Sequence, residues 1–218
     1  MKTVWVLIHD YWHPAETVRP LATRLFPEGQ WRVILSEDPG TLLGQAKTPN
    51  LIVSLKDPVE NNQIPTPTWC DERWTDRLFG CVRDEGTGFL AIHAALAGTD
   101  REHPIIREMI QAVFTGHPAP CPLAFRPLKE HPILEGISEF TLPGNDEHYM
   151  MAMLDRAQVD LLAETVSEHG AQPGLWVKEY GRGRVCCVTP GHTTEILLCE
   201  DYLKVLRQAV AWCVGEEQ

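Results

Sequence analysis

Three histidines in this 218-residue chain stand just after segments that read as buried strands. Gly88-Phe-Leu-Ala-Ile-His93 runs on into Ala94-Ala95-Leu96. Arg184-Val-Cys-Cys-Val-Thr-Pro-Gly-His192 has Glu195 three residues later, and His13 follows Val4–Ile8 within His9-Asp-Tyr-Trp-His-Pro14. An imidazole, with an ordinary pKa of about 6.5, can move protons near neutral pH or bind a divalent ion. Ligands of open α/β sheets gather beyond the carboxyl ends of the strands, so these rings are candidates for one crevice. With a carboxylate from Asp146 or Glu147 they form a nitrogen–oxygen donor set suited to zinc. On that reading His13, His93 and His192 are the candidate ligands, with Asp146, Glu147 and His148 as further donors. His93, His192 and Glu147 are the candidate catalytic groups.

Plainer roles compete at each position. His13 can cap a helix opening at Pro14, His192 can satisfy backbone groups before a helix, and Asp146 or Glu147 can cap a turn. His103, His117 and His131 sit beside prolines, in extended or turn geometry, where structural roles are favoured. His169 reads as a solvated turn.

Elements able to position these groups follow from the pattern. Strands are expected at Val4–Ile8, Trp31–Leu35, Leu51–Leu55 and Gly88–Ile92, with a helix from Pro14 to about Phe26. Lys56–Pro67, rich in Asp, Asn, Gln and Pro, reads as a loop of the kind that forms lids. Thr68 and Asp71 resemble a capping box for a helix carrying Cys70, Trp74, Leu78, Cys81 and Val82. A further helix is expected from His103-Pro104 to about Val113, and an edge strand at Leu123–Phe125. Weaker strands fall at Glu139–Leu142 and Asp160–Glu164. Leu175–Tyr180 and Arg184–Val188 read as a β-hairpin, and a one-sided apolar helix runs from Tyr202 to Cys213. Alternating strands and helices followed by a hairpin predict a three-layer α/β fold in a single domain over residues 1–218.

Composition narrows the function classes. A formal charge of -11 argues against nucleic acid as a partner. The short apolar start lacks the plan of a signal peptide, and no run approaches the roughly 20 apolar residues of a membrane span. Seven cysteines, an odd number without a C-x-x-C pair, fit reduced thiols in a cytoplasmic protein. Gly86-Thr-Gly88 and Gly181-Arg-Gly183 match no nucleotide fingerprint, so no nucleotide cofactor is expected. Trp69 and Trp74 offer a candidate surface for a homo-oligomer.

The order of short motifs resembles the trehalose-utilization, or ThuA-like, family across nearly the whole chain. The marks are His13, Glu37-Asp38-Pro39, Gly88–His93, Gly116-His117-Pro118, His131-Pro132, Asp146-Glu147-His148-Tyr149, Trp176–Arg184 and Pro190-Gly191-His192. The resemblance implies a flavodoxin-like, class I glutamine amidotransferase-like fold with a mostly parallel sheet and a C-terminal hairpin. His93 takes the place of that fold's cysteine nucleophile, and His192 and Glu195 resemble its partner pair, so glutamine hydrolysis is not expected. The family's link to oxidised disaccharides implies a small sugar or keto sugar as substrate, handled by metal-assisted acid–base chemistry of hydrolase or isomerase type. Trp12, His13, Asp146 and Trp176 are then candidate substrate contacts, the indoles because they stack on a sugar's apolar face. The alternative is a non-catalytic sugar-binding or regulatory module on the same scaffold.

Overall fold

The computed structural model describes residues 1–59, 68 and 70–216. Period-two alternation in the first strand sets the layering. In β1 (Lys2–Leu7), Val4 and Val6 face one core while Trp5 and Leu7 face another. The strand is followed by α1 (Ala15–Leu25), β2 (Trp31–Ser36), α2 (Pro39–Leu43), β3 (Leu51–Ser54), α3 (Glu72–Phe79) and β4 (Gly88–Ile92). Then come β5 (Ala112–Gly116), β6 (Ala124–Pro127), β7 (Phe140–Thr141), β8 (Met150–Met153), β9 (Asp160–Ser167), β10 (Gly170–Tyr180) and β11 (Gly183–Val188). The chain closes with α4 (Thr194–Leu197) and α5 (Glu200–Cys213).

Nine strands form one sheet in the order β2-β1-β3-β4-β11-β10-β9-β6-β7, and β5 pairs with β8 separately. The run β2-β1-β3-β4-β11 is parallel throughout. Its opening order, 2-1-3-4, is that of doubly wound folds that bind ligands beyond the strand ends. The remaining strands pair antiparallel. Helices cover both faces. Val18, Leu21 and Leu25 of α1 join Val205, Leu206 and Ala209 of α5 on one side, while Trp74 and Leu78 of α3 join Ile105 and Met109 on the other.

Several local expectations are corrected. Asp71 alone caps α3, accepting from the Trp74 amide at 2.8 Å, while Thr68 Oγ1 accepts from Cys70 and donates to Pro58. The helix expected through Val113 is a single wide turn over Ile105–Ile110. Gln111 at φ +60° ends it, and β5 begins at the next residue. β6 is not an edge strand, because β7 and β9 flank it. Of the expected Lys56–Pro67 loop, residues 60–67 lie outside those described, as does Trp69; Val59 and Thr68 form an antiparallel bridge. Trp74 is buried, so it offers no interface. All seven cysteines are free thiols, and no described helix is long and apolar enough to cross a membrane.

Close packing joins the central strand to the last helix at Gly88. A Cβ there would lie 2.5 Å from the Cys213 carbonyl oxygen. Gly88→Ala should therefore destabilise the fold by about 1–3 kcal/mol through overpacking. A thermal melt checks this, with a drop of several degrees expected; an unchanged midpoint would show that α5 does not rest on β4 at this distance.

Candidate functional site

The end of β1 is tied into a rigid turn by one carboxylate. Asp10 accepts from the amides of Trp12 and His13 at 2.8 and 2.9 Å, and from the Asp57 amide at 2.9 Å. It also accepts from the His13 Nδ1–H at 2.8 Å. Burial pushes the Asp10 carboxyl up, but His13 and these amides outweigh it and hold it below its ordinary value. Asp10 is thus an ionised acceptor, and His13 must present its Nε2 lone pair to the crevice.

At the end of β4 the chain turns through His93, with φ +47°, into a short 3-10 turn over His93–Leu96. A left-handed conformation in a non-glycine residue costs roughly 1–2 kcal/mol. Contacts on both sides hold it. The His93 Nδ1–H donates to the Thr189 carbonyl at 2.8 Å, and the ring stacks on Tyr149 with centroids 4.3 Å apart. Room comes from Gly191 at φ +144°, where a Cβ would lie 3.1 Å from the His93 Cβ. The turn after β11 is fixed by Asp146, which accepts from the amides of Gly191 and His192 at 2.9 and 3.1 Å.

These turns bring His13, His93, His192 and Glu147 together, each offering one donor atom within 4.8 Å of all the others. His192 Nδ1 lies 3.2 Å from His13 Nε2 and 3.3 Å from Glu147 Oε2. His93 Nε2 lies 3.4 Å from the same carboxylate oxygen, buried and without a hydrogen-bond partner. A neutral imidazole carries one proton. His13 and His93 have each committed theirs to an acceptor behind them, so both aim lone pairs at a common point. Three imidazole nitrogens and a carboxylate oxygen, backed by fixed acceptors, fit a divalent ion such as zinc. The orphaned His93 Nε2 is the observation that tests this fit, because an unsatisfied buried polar atom costs about 1–3 kcal/mol.

Burial is the largest influence on Glu147 and raises its carboxyl, yet the influences that lower it, led by the His192 imidazole, prevail and hold it well below the carboxylate range. Glu147 in turn raises His192 above the ordinary imidazole value. Burial, reinforced by the charge of Asp10, pushes Asp57 up to about 7.

Other expected site residues lie elsewhere. Trp176 is 1% exposed and donates its indole N–H to the Ile110 carbonyl, so it packs the core and cannot touch substrate. Asp146 spends its oxygens on backbone amides rather than on an ion. His148 is fully buried, bonded to Ser167 Oγ and the Thr165 carbonyl, and faces β9. Glu195 is exposed on α4, and the carboxylate facing His192 is Glu147. Trp12 stands at the surface beside His13.

His117, expected to be structural, borders the centre. Its Nδ1–H donates to the Pro118 carbonyl at 2.8 Å and its Nε2 lies 3.5 Å from Glu147 Oε1. The neighbouring proline signals only extended backbone. The sequence also gives no sign of Tyr149, although Asp10, two residues before Trp12, has the spacing of an Asx-turn.

The ion pair makes stability depend on pH in a defined window. A depressed Glu147 stabilises the fold above the ordinary carboxylate value of 4.5, and loses this only in strong acid. A raised His192 stabilises below the ordinary 6.5, and loses this as pH climbs through its folded value. In metal-free protein, Glu147→Gln should melt lowest relative to the unaltered chain between pH 4.5 and 6.5, by about 1–3 kcal/mol. The gap should close toward alkaline pH. A pH-independent gap in the melting curves would refute the pair.

Comparison with known proteins agrees with this architecture. No curated protein matches the sequence. Among solved structures, a ThuA-like protein from Parabacteroides merdae superposes with a TM-score of 0.76 at 15% identity, covering 99% of this chain and 91% of the other. One from Bacteroides uniformis gives 0.74 at 17% identity, with the same coverage. A β-galactosidase from Bacillus circulans sp. alkalophilus gives 0.62 at 10% identity, covering 98% of this chain but 31% of that enzyme. At these identities the likeness is one of fold. The family model described as trehalose utilisation matches residues 5–213, and the chain belongs to that ThuA family.

Proposed function

We propose that this protein is an enzyme of carbohydrate catabolism that moves protons on a sugar or keto sugar at a divalent-metal centre. The observation that carries the reading is the aiming of the His13 and His93 lone pairs, with His192 and Glu147, at one point. Family membership in trehalose utilisation supports a sugar as substrate, and the β-galactosidase domain of similar fold is consistent with it. A module that only binds sugar has no need of a buried, strained imidazole with an unsatisfied nitrogen.

His13, His93, His192 and Glu147 would hold the ion, and zinc suits three nitrogens and one oxygen. Such an ion, when bound, polarises a carbonyl or hydroxyl oxygen and acidifies the proton beside it. The chain supplies the rest. Asp10 and the Thr189 carbonyl fix ring orientation and keep the protons of His13 and His93 away from the centre. His117 has its Nδ1–H tied to Pro118 and a third of its side chain exposed, which leaves Nε2 as the group that takes a proton from the sugar and returns it. Glu147 Oε1 lies 3.5 Å from that nitrogen and stabilises the imidazolium that forms when His117 takes the proton. Cys186 and Cys187 do not serve as nucleophiles, since both are buried within β11 and burial pushes both thiols far up.

The test pairs metal analysis with turnover of a keto disaccharide. Purified protein should carry about one divalent ion per chain. His93→Ala should lose it, while His117→Gln should keep it and turn over about 100-fold or more slowly. Protein without an ion, or turnover indifferent to a chelator, overturns the metal centre. Full activity in His117→Gln removes that residue from the chemistry.

A further inference from the structure

Tyr149 is packed against the site by its ring, while its polar end has no use assigned so far. The ring stacks on His93 with centroids 4.3 Å apart and planes at 29°, and Phe114 meets it at 4.5 Å. His117 lies nearly parallel to it, at 6.1 Å and 24°. Only 2% of the residue reaches solvent. The alternating directions of an extended segment explain the placement. His148 turns toward β9, whereas its two neighbours, Glu147 and Tyr149, both face the His93 imidazole.

A buried hydroxyl ordinarily finds a partner. Tyr202, also buried, donates to the Pro190 carbonyl at 2.7 Å, and Tyr180 donates to Glu108 at 2.9 Å. The Tyr149 hydroxyl bonds to no described residue, and it is not among the buried polar atoms sealed from solvent. Burial is the leading influence on this phenol and keeps its proton in place. The charges that add to burial are those of Glu147, Asp57, Asp10 and Asp146, so the oxygen stands among the carboxylates that surround the centre.

Two stacked rings thus carry two unused polar atoms of opposite kind. His93 Nε2 is a lone pair without a donor, and the Tyr149 O–H is a donor without an acceptor. Neither satisfies the other. A cation answers the first. The second needs an oxygen lone pair brought from outside the chain.

We propose that Tyr149 is a further catalytic residue, whose hydroxyl donates a hydrogen bond to the substrate oxygen seated at the His13–His93–Glu147–His192 centre. This rests on the carbohydrate function proposed above and adds the group that holds the developing charge. A proton passes from the carbon beside the sugar carbonyl to His117 Nε2. The C–H electron pair becomes a carbon–carbon double bond, and the carbonyl pair moves onto the oxygen. Tyr149 keeps its own proton throughout.

Tyr149→Phe retains the stacked ring and removes the oxygen alone. Zinc content, melting temperature, turnover of a keto disaccharide and calorimetric binding of acetohydroxamate, a small zinc ligand with a carbonyl oxygen, are compared with wild type. The variant should hold as much zinc and melt within about 1 °C, since the lost hydroxyl had no partner. Its kcat should fall about 100-fold with KM changed less than about threefold, and acetohydroxamate should bind about tenfold more weakly. Tyr149→Leu, which removes the ring, should lose zinc as well. A melting drop of several degrees in Tyr149→Phe would make the hydroxyl a structural bond and overturn the proposal. Undiminished affinity for acetohydroxamate would overturn it too. Affinity that depends on Tyr149 in protein turning over no sugar would keep the donor and remove the carbohydrate reading. If wild type holds no zinc, the keto disaccharide is titrated into metal-free protein. Binding weakened by Tyr149→Phe then keeps the donor and removes the metal centre, whereas binding indifferent to it, or none, overturns the donor.

Discussion

Two imidazoles at the crevice have each given their single proton to an acceptor behind them, and the rest of the site depends on that commitment. Asp10 can only accept from His13, because its carboxylate stays ionised, and the Thr189 carbonyl can only accept from His93. The lone pairs are therefore directed from outside the centre rather than from within it. This arrangement brings strain at both ends. His9 and His93, non-glycine residues in left-handed backbone, belong to the two turns that deliver His13 and His93. The strain persists because hydrogen bonds and packing around each turn over-determine it.

The sheet supplies the frame for these turns. Parallel strands β1, β4 and β11 end on the same side, so three connections that are remote in sequence emerge together. Glu147 reaches the same place by another route. Its segment is moored by Asp146, whose side chain holds the turn after β11 and whose backbone pairs with Cys121. The small β5–β8 sheet then sets Phe114 against Tyr149, which stacks on the His93 ring. The antiparallel part of the fold is thus the support that carries the fourth donor to the parallel strand ends.

Much of this was legible in the residues, for a simple reason. Central parallel strands are buried on both faces, so Val4–Ile8 and Gly88–Ile92 read as unbroken apolar runs, and the histidines after them follow by position. Residues whose role depends on a turn's exact path were hidden. Nothing in the order of letters shows that Asp10 folds back on His13, or that Asp146 faces backbone amides while Glu147 faces imidazoles. His117 was obscured by its proline, and Trp176 looked like a stacking residue although its indole is committed to Ile110. β8 was missed because Met150-Met-Ala-Met153 has neither β-branched residues nor alternation. The β5 segment read as helix because its termination rests on the unusual backbone of Gln111.

The spread of the four donors along the polypeptide has a consequence for biosynthesis. His13 and His192 are separated by 179 positions, and Glu147 lies between them. A nascent chain emerging from the ribosome holds isolated imidazoles, no two of them close enough to act as a chelate, until the final strand and the turn after it have been made. On the proposed reading, an ion at this group would be captured late in maturation, after the carboxyl-terminal quarter has docked. A chain that stops short of His192 lacks the full set of four donors.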